Sequence, residues 1–184
     1  MPNSIGQEYL QTVIRRLRYY KELGDRSFEQ LPADADYHFS PGTESNSIAI
    51  IIQHMTGNML SRWTNFLTED GEKTWRARDA EFTAHSFTRE ELLAIWEKGW
   101  ACLLYTLASL REEDLLREVT IRQEPLTVID AINRQLAHYP YHIGQIVYLA
   151  RMIRDQDWKN LSIPRGASAA YNSSAAVKDP AKKF

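Results

Sequence analysis

The feature that most constrains the fold is a long stretch of helical periodicity from Thr127 to about Asp155. Apolar residues recur there every three or four positions, a spacing that places them on one face of an α-helix. They are Ile132, Leu136, Tyr139, Ile143, Ile146 and Ala150. A long helix with one apolar face needs other elements to cover that face. We therefore expect a fold of packed helices.

Three further segments have the same periodicity: Ile5 to about Leu31, Asn46 or Ser47 to the residues before Glu69, and Thr88 to about Leu110. Ser47 and Thr88 are residue types that commonly cap helix N-termini. Glu91 follows Thr88 at the spacing of a capping box. The sequence thus predicts an all-α protein, a four-helix bundle with long loops.

The connections and the tail differ from these segments in composition. Residues 33–44 and 70–82 are polar and read as loops, and the second is long enough to suggest a functional role. Glu118 to Arg122 alternates polar and apolar residues, which indicates a short extended segment. We expect one helical domain over residues 1–166. Residues 167–184 are expected to form a non-helical, partly disordered tail.

Composition excludes several classes of protein. The chain has 184 residues, which suits one domain, and its only cysteine, Cys102, has no partner for an internal disulfide. A net charge of -2 gives no basic face for nucleic acid. No apolar run approaches the ~20 residues of a membrane span, and Met1 to Glu8 lacks the pattern of a signal peptide. We expect a cytoplasmic protein whose partners are small molecules.

The histidines are the candidate functional residues. His138 and His142 are four apart, so both imidazoles lie on one face of the fourth helix. They flank the apolar stripe, and His54 flanks the stripe of the second helix in a polar strip with Asn58. If these flanks face each other, three imidazoles converge on one metal ion and leave coordination positions open. The alternative is that both strips simply face solvent.

These residues resemble a known family. His54, followed far along the chain by His138-Tyr139-Pro140-Tyr141-His142-Ile143-Gly144-Gln145-Ile146, is similar to the DinB/YfiT-like superfamily. The resemblance extends to a subfamily of unknown function through Asn46–Trp63, Asp70–Phe82 and Leu161–Gly166. It implies a four-helix bundle, usually dimeric, whose metal ligands are His54, His138 and His142.

The resemblance also implies a class of reaction. Members of the superfamily include thiol S-transferases that use a low-molecular-weight thiol, with zinc or nickel as the usual metal. The expected cosubstrate would be such a thiol, and the substrate a small electrophile. Neighbouring residues expected to contact them are Asn58, Tyr141, Gln145, Arg76, Arg78 and Arg165. The alternative to a substrate contact, for each arginine, is a surface ion pair.

Two other functions remain open from the sequence. A three-histidine metal also suits a hydrolase, because it lowers the pKa of bound water. The protein could instead be a non-enzymatic metal-binding or stress-related dimeric bundle. A fourth ligand from a loop, such as Glu44, Asp79 or Glu81, would close the site and favour that reading.

Overall fold

A computed structural model describes residues 3–83 and 85–184. These residues are mostly helical, with one small two-stranded sheet. The helices are α1 (Ile5–Phe28), α2 (Asp34–His38), α3 (Ile48–Trp63), α4 (Arg89–Ser109), α5 (Val128–Arg154) and α6 (Ser168–Ser173). The strands are β1 (Glu118–Ile121) and β2 (Glu124–Thr127), and a 3-10 helix spans Arg78–Phe82. No helix in these two ranges is both long and apolar enough to cross a membrane.

A side-chain cap marks the beginning of each of the four long helices, and Ser4 caps α1. Ser47, Thr88 and Thr127 each accept a hydrogen bond from a backbone N–H in the first turn of α3, α4 and α5. The capping box of Thr88 and Glu91 is present as predicted. α3 ends at Trp63, a few residues short of the predicted limit before Glu69. The C-cap residue Thr64 is extended, and Asn65 after it has a φ of 49°, a left-handed conformation that does not continue the helix.

The four long helices contact one another in a closed order. α1 packs on α5, α5 on α3, α3 on α4, and α4 returns to α1. The space between them is filled by fully buried aromatic residues, among them Trp63, Trp96, Trp100 and Tyr139. The Trp63 indole donates to the Tyr139 hydroxyl, which donates to Asn58 Oδ1. These two bonds tie α3 to α5.

The predicted extended segment is confirmed, and it forms half of a hairpin. β1 pairs antiparallel with β2, with Glu118 opposite Thr127. The two turn residues, Arg122 and Gln123, have φ values of 57° and 65°. Such turns favour Asn-Gly, since most side chains avoid positive φ. Here the Asp70 carboxylate accepts both turn N–H groups, at 2.9 and 2.7 Å, and stabilises the turn.

The C-terminal segment departs from the expectation in one respect. The tail was predicted to be non-helical, but α6 forms one short helix in it. Its run of small residues lacks the apolar period used to predict helices, although alanine is the strongest helix former. Farther along, Arg16 holds Asp179 through two bonds of 2.6 and 2.7 Å, and Ala181 is buried. The division at residue 166 and the partial disorder of the tail stay predictions.

Candidate metal centre

Three histidine side chains converge between α3 and α5. His54 lies near the middle of α3, and His138 and His142 lie one turn apart on α5. The Nε2 atom of His138 is 3.4 Å from that of His54 and 3.0 Å from that of His142. In the described part of the chain this is the group of metal-ligating side chains that could hold an ion.

Each of these imidazoles is held through its other nitrogen. His54 Nδ1 donates to Glu81 Oε2 at 3.0 Å, His138 Nδ1 to Gln135 Oε1 at 3.2 Å, and His142 Nδ1 to Gln145 Oε1 at 2.8 Å. Because Nδ1 carries the proton in these bonds, each Nε2 presents a lone pair to the centre. This is the hydrogen-bonding pattern of histidines that bind metals. The arrangement therefore fits a cation at the point where the three lone pairs meet.

Burial keeps the α5 histidines in the form that binds metal. His142 and His54 are buried, and His138 is partly buried. Burial, together with the neighbouring imidazoles, lowers the pKa of His138 to about 4. Burial also lowers the pKa of His142, against an opposing hydrogen bond to Gln145. Both rings are consequently neutral at pH 7, as metal ligation requires.

The connection between α3 and α4 covers one side of the site. Phe82 stacks on the His54 ring, with 4.9 Å between ring centroids, and Arg78 lies over Phe82. Glu81 contacts His54 from the same 3-10 helix. Burial alone would raise the pKa of Glu81, but bonds from His54 and Arg76 outweigh it and lower the pKa. Glu81 is therefore an ionised acceptor.

Comparison with known proteins gives a family. The family model described as Protein of unknown function (DUF1572) matches residues 4–167, most of the chain. The chain belongs to this family. No curated protein and no solved structure matches the chain. The geometry of the centre is therefore the main guide to what this DUF1572 protein does.

The structure places the predicted substrate-contacting residues of this DUF1572 chain in different surroundings. Gln145 holds His142, and its Nε2 donates to the exposed Tyr141 hydroxyl. Asn58 is buried and accepts a hydrogen bond from the Tyr139 hydroxyl. Both Tyr141 and Gln145 border a cavity of about 420 Å³ that also includes Glu44.

The three predicted arginines of the DUF1572 chain are spread apart. The Arg76 side chain is only 2% exposed and pairs with Glu72 and Glu81. Arg78 is half exposed above Phe82, and Arg165 is exposed in the segment after α5. The structure thus brings Arg76 and Arg78 near the centre through the connection that follows α3. Whether any of them contacts a substrate stays a prediction.

Of the three residues considered as a fourth ligand, only Glu81 reaches the histidines. It contacts the far nitrogen of His54, away from the point where the lone pairs meet. Asp79 is fully exposed and Glu44 is exposed on the surface.

No role was predicted from the sequence for Gln135, which holds His138. Its spacing of three residues before His138 is the signal that would have shown it, because that spacing places both on one helix face.

Proposed function

We propose that this protein is a metal-dependent enzyme acting on small molecules, with one divalent ion bound by His54, His138 and His142. The observation that carries the proposal is the triad of converging Nε2 atoms whose Nδ1 atoms are all held by oxygen acceptors. Three protein ligands leave positions free for water or substrate, as in catalytic rather than structural sites. Zinc and nickel are the metals we propose, since imidazole suits both.

The reaction that we propose is thiol transfer to a small electrophile. A bound divalent metal would supply Lewis acidity, which favours the thiolate form of a thiol cosubstrate near neutral pH. The thiolate sulfur forms a bond to the electrophilic carbon, and the leaving group departs with its electron pair. Support for this reaction comes from the DinB/YfiT-like resemblance and from the free coordination positions. Arg78, Arg165 and Tyr141 are exposed side chains that we propose as contacts for the cosubstrate.

Hydrolysis is less well supported by the surroundings of the site. A hydrolase would gain from a carboxylate free to take a proton from water. The nearest one, Glu81, has both oxygens engaged by Arg76 and His54. A purely structural metal would gain from a fourth protein ligand, and none of the described His, Cys, Asp or Glu residues joins the three histidines. We therefore rank transfer above both alternatives.

We propose a DinB-like four-helix bundle as the architecture, supported by the closed order of contacts among α1, α5, α3 and α4. We also propose a homodimer working in the cytoplasm, as the resemblance implies. Exposed rings on α5, at Tyr141 and Tyr148, would be suitable for an interface between copies. Sedimentation of the purified chain would measure its oligomeric state.

The first experiment is elemental analysis of protein purified without added metal. About one zinc or nickel per chain is expected, against none in the variant His54→Ala/His138→Ala/His142→Ala. Helical circular dichroism of the variant controls for folding. Absence of stoichiometric metal in the native protein, even after reconstitution, would remove the metal-dependent enzyme from consideration.

The second experiment tests the reaction with metal-loaded protein. Low-molecular-weight thiols are combined with a chromogenic aryl halide, and loss of the thiol is followed alongside product formation. Transfer is expected to need both the metal and the thiol. Turnover of ester or amide substrates without any thiol would instead identify a hydrolase.

A further inference from the structure

The three histidines are not held in the same way. Glutamine oxygens hold His138 and His142, both from the same helix as the histidine. His54 is held by a carboxylate that comes from outside α3, in the 3-10 helix Arg78–Phe82. Because Glu81 lies outside α3, the helix that carries His54 does not by itself fix the position of the Glu81 carboxylate. Two neighbouring residues, Arg76 and Gly57, account for its position.

The first is Arg76, which donates a hydrogen bond to each carboxylate oxygen of Glu81. Arg76 Nε donates to Oε1 at 2.7 Å and Nη2 donates to Oε2 at 2.9 Å, the two-pronged geometry of strong arginine–carboxylate pairs. The Glu81 and Arg76 side chains are only 10% and 2% exposed. Since Oε2 also accepts from His54, the carboxylate is fixed facing Nδ1 and cannot turn toward Nε2 without leaving Arg76.

The second is Gly57, which lies one turn after His54 on α3. A Cβ added to Gly57 would lie 2.7 Å from the Glu81 carboxyl carbon, closer than such atoms approach. Glycine is an unfavourable residue in the middle of a helix, by about 1 kcal/mol relative to alanine. Its presence at this position therefore has a steric explanation, since only glycine leaves room for the carboxylate beside His54.

We propose that Glu81 is a positioning residue of the metal centre, fixed by Arg76 and admitted by Gly57, which sets the tautomer and orientation of His54. This inference rests on the proposed metal site and adds the residues that prepare one ligand for it. Glu81 acts through His54 and does not itself bind the ion. Glu81 thereby becomes part of the centre, whereas the exposed Asp79 of the same 3-10 helix does not contact the histidines.

The first test is the affinity for Zn²⁺, measured by competition with a chromophoric chelator. Glu81→Ala is expected to weaken binding by about 10–100-fold, the usual effect of losing such a partner. Glu81→Gln should recover most of the loss, because glutamine already serves the other two histidines. The exposed neighbour change Asp79→Asn is the matched control and should bind as the native protein does. Glu81→Ala binding within twofold of native, or no recovery by glutamine, would overturn the proposal.

A double-mutant cycle tests the part played by Gly57. Gly57→Ala should weaken Zn²⁺ binding in the native background and have no further effect in Glu81→Ala, because its target is then gone. The fold should survive, since alanine favours helix and only the end of a flexible side chain must move. Gly144→Ala is the control, because that glycine has open space around it on α5. Equal losses from Gly57→Ala in both backgrounds would show that Gly57 does not act through Glu81.

A third readout does not depend on metal binding. Long-range proton–nitrogen NMR of the metal-free protein at pH 8 reports which His54 nitrogen carries the proton. The native protein should show the Nδ1–H form, and Glu81→Ala should show a mixture of both forms. An Nε2–H form in the native protein would overturn the positioning role even if metal binds. Native Nδ1–H without any metal binding would instead contradict only the proposed function.

Discussion

At the scale of single residues, the centre depends on which nitrogen of each ring is free. The bonds to Glu81, Gln135 and Gln145 leave three Nε2 lone pairs facing one another at 3.0 and 3.4 Å. The lone pairs of neutral imidazole rings repel one another at these distances, and a cation bound between them removes the repulsion. The hydrogen bonds to the three Nδ1 atoms therefore orient the rings so that a cation could bind between their Nε2 atoms.

His138 is the ligand whose loss should be most informative, because its Nε2 is close to both of the others. His138→Ala is expected to abolish stoichiometric metal binding while leaving the helical content unchanged, since the apolar core of α5 is intact. Elemental analysis and circular dichroism measure the two properties. A variant that still binds one metal with native affinity would contradict the assignment of His138.

The lowered pKa of His138 predicts how the metal-free protein responds to acid. Burial lowers the pKa of His138 from 6.5 in the unfolded chain to about 4 in the folded protein. The unfolded chain therefore binds more protons between these values, and the free energy of unfolding should fall as the pH drops from about 6.5 to 4. Urea titrations at pH 7 and pH 4.5 measure this fall. It should be smaller in His138→Gln, and an equal fall in both proteins would contradict the shift.

At the scale of elements, Asp70 joins the long connection after α3 to the hairpin before α5. Its carboxylate accepts the N–H groups of Glu72, Arg122 and Gln123. Burial opposes its ionisation, but these donors outweigh that effect and lower the pKa of Asp70 to about 2. One side chain thus stabilises the hairpin turn and the beginning of the connection that leads to Glu81.

Asp70→Asn should lower the free energy of unfolding by about 1 kcal/mol at pH 7, the usual contribution of such bonds. A lowered carboxylate pKa stabilises the fold above the unfolded value of 3.8, and this contribution is lost as the pH falls toward 2. The difference between the two proteins should therefore shrink across that interval in urea titrations. A difference that stays constant down to pH 2 would mean that the charge of Asp70 is not involved.

The sequence predicts elements better than the contacts between them. Helical periodicity located the four long helices, and the spacing of His138 and His142 placed them on one face. Their approach to His54 depends on how α3 and α5 pack, which no local pattern encodes. The hairpin turn at Arg122 lacks the usual Asn-Gly signal, because its stabilising carboxylate comes from Asp70. The contact of Glu81 with His54 likewise depends on the path of the connection that follows α3, and no local sequence pattern encodes that path.

At the scale of the whole molecule, the centre joins distant parts of the chain. The closed order of contacts among the long helices brings α3 and α5 side by side, and buried hydrogen bonds among Trp63, Tyr139 and Asn58 join them. These buried contacts stabilise the framework in the absence of metal. A bound ion would then add to a fold that is already formed.

Metal should raise the melting temperature of the native protein. A ligand at 100 times its Kd stabilises the state that binds it by about 2.7 kcal/mol, which corresponds to roughly 5–10 °C for a chain of this size. Calorimetry with and without Zn²⁺ measures the shift. The triple histidine variant should show none, and an equal shift in that variant would indicate binding elsewhere.

The sequence separation of the ligands has a consequence for kinetics. His54 and His138 are 84 residues apart, so a bridge between them requires α3 and α5 to have come together first. An interaction that forms after the rate-limiting step of folding leaves the folding rate almost unchanged and slows unfolding instead. An ion at this centre would thus act chiefly on the lifetime of the native state.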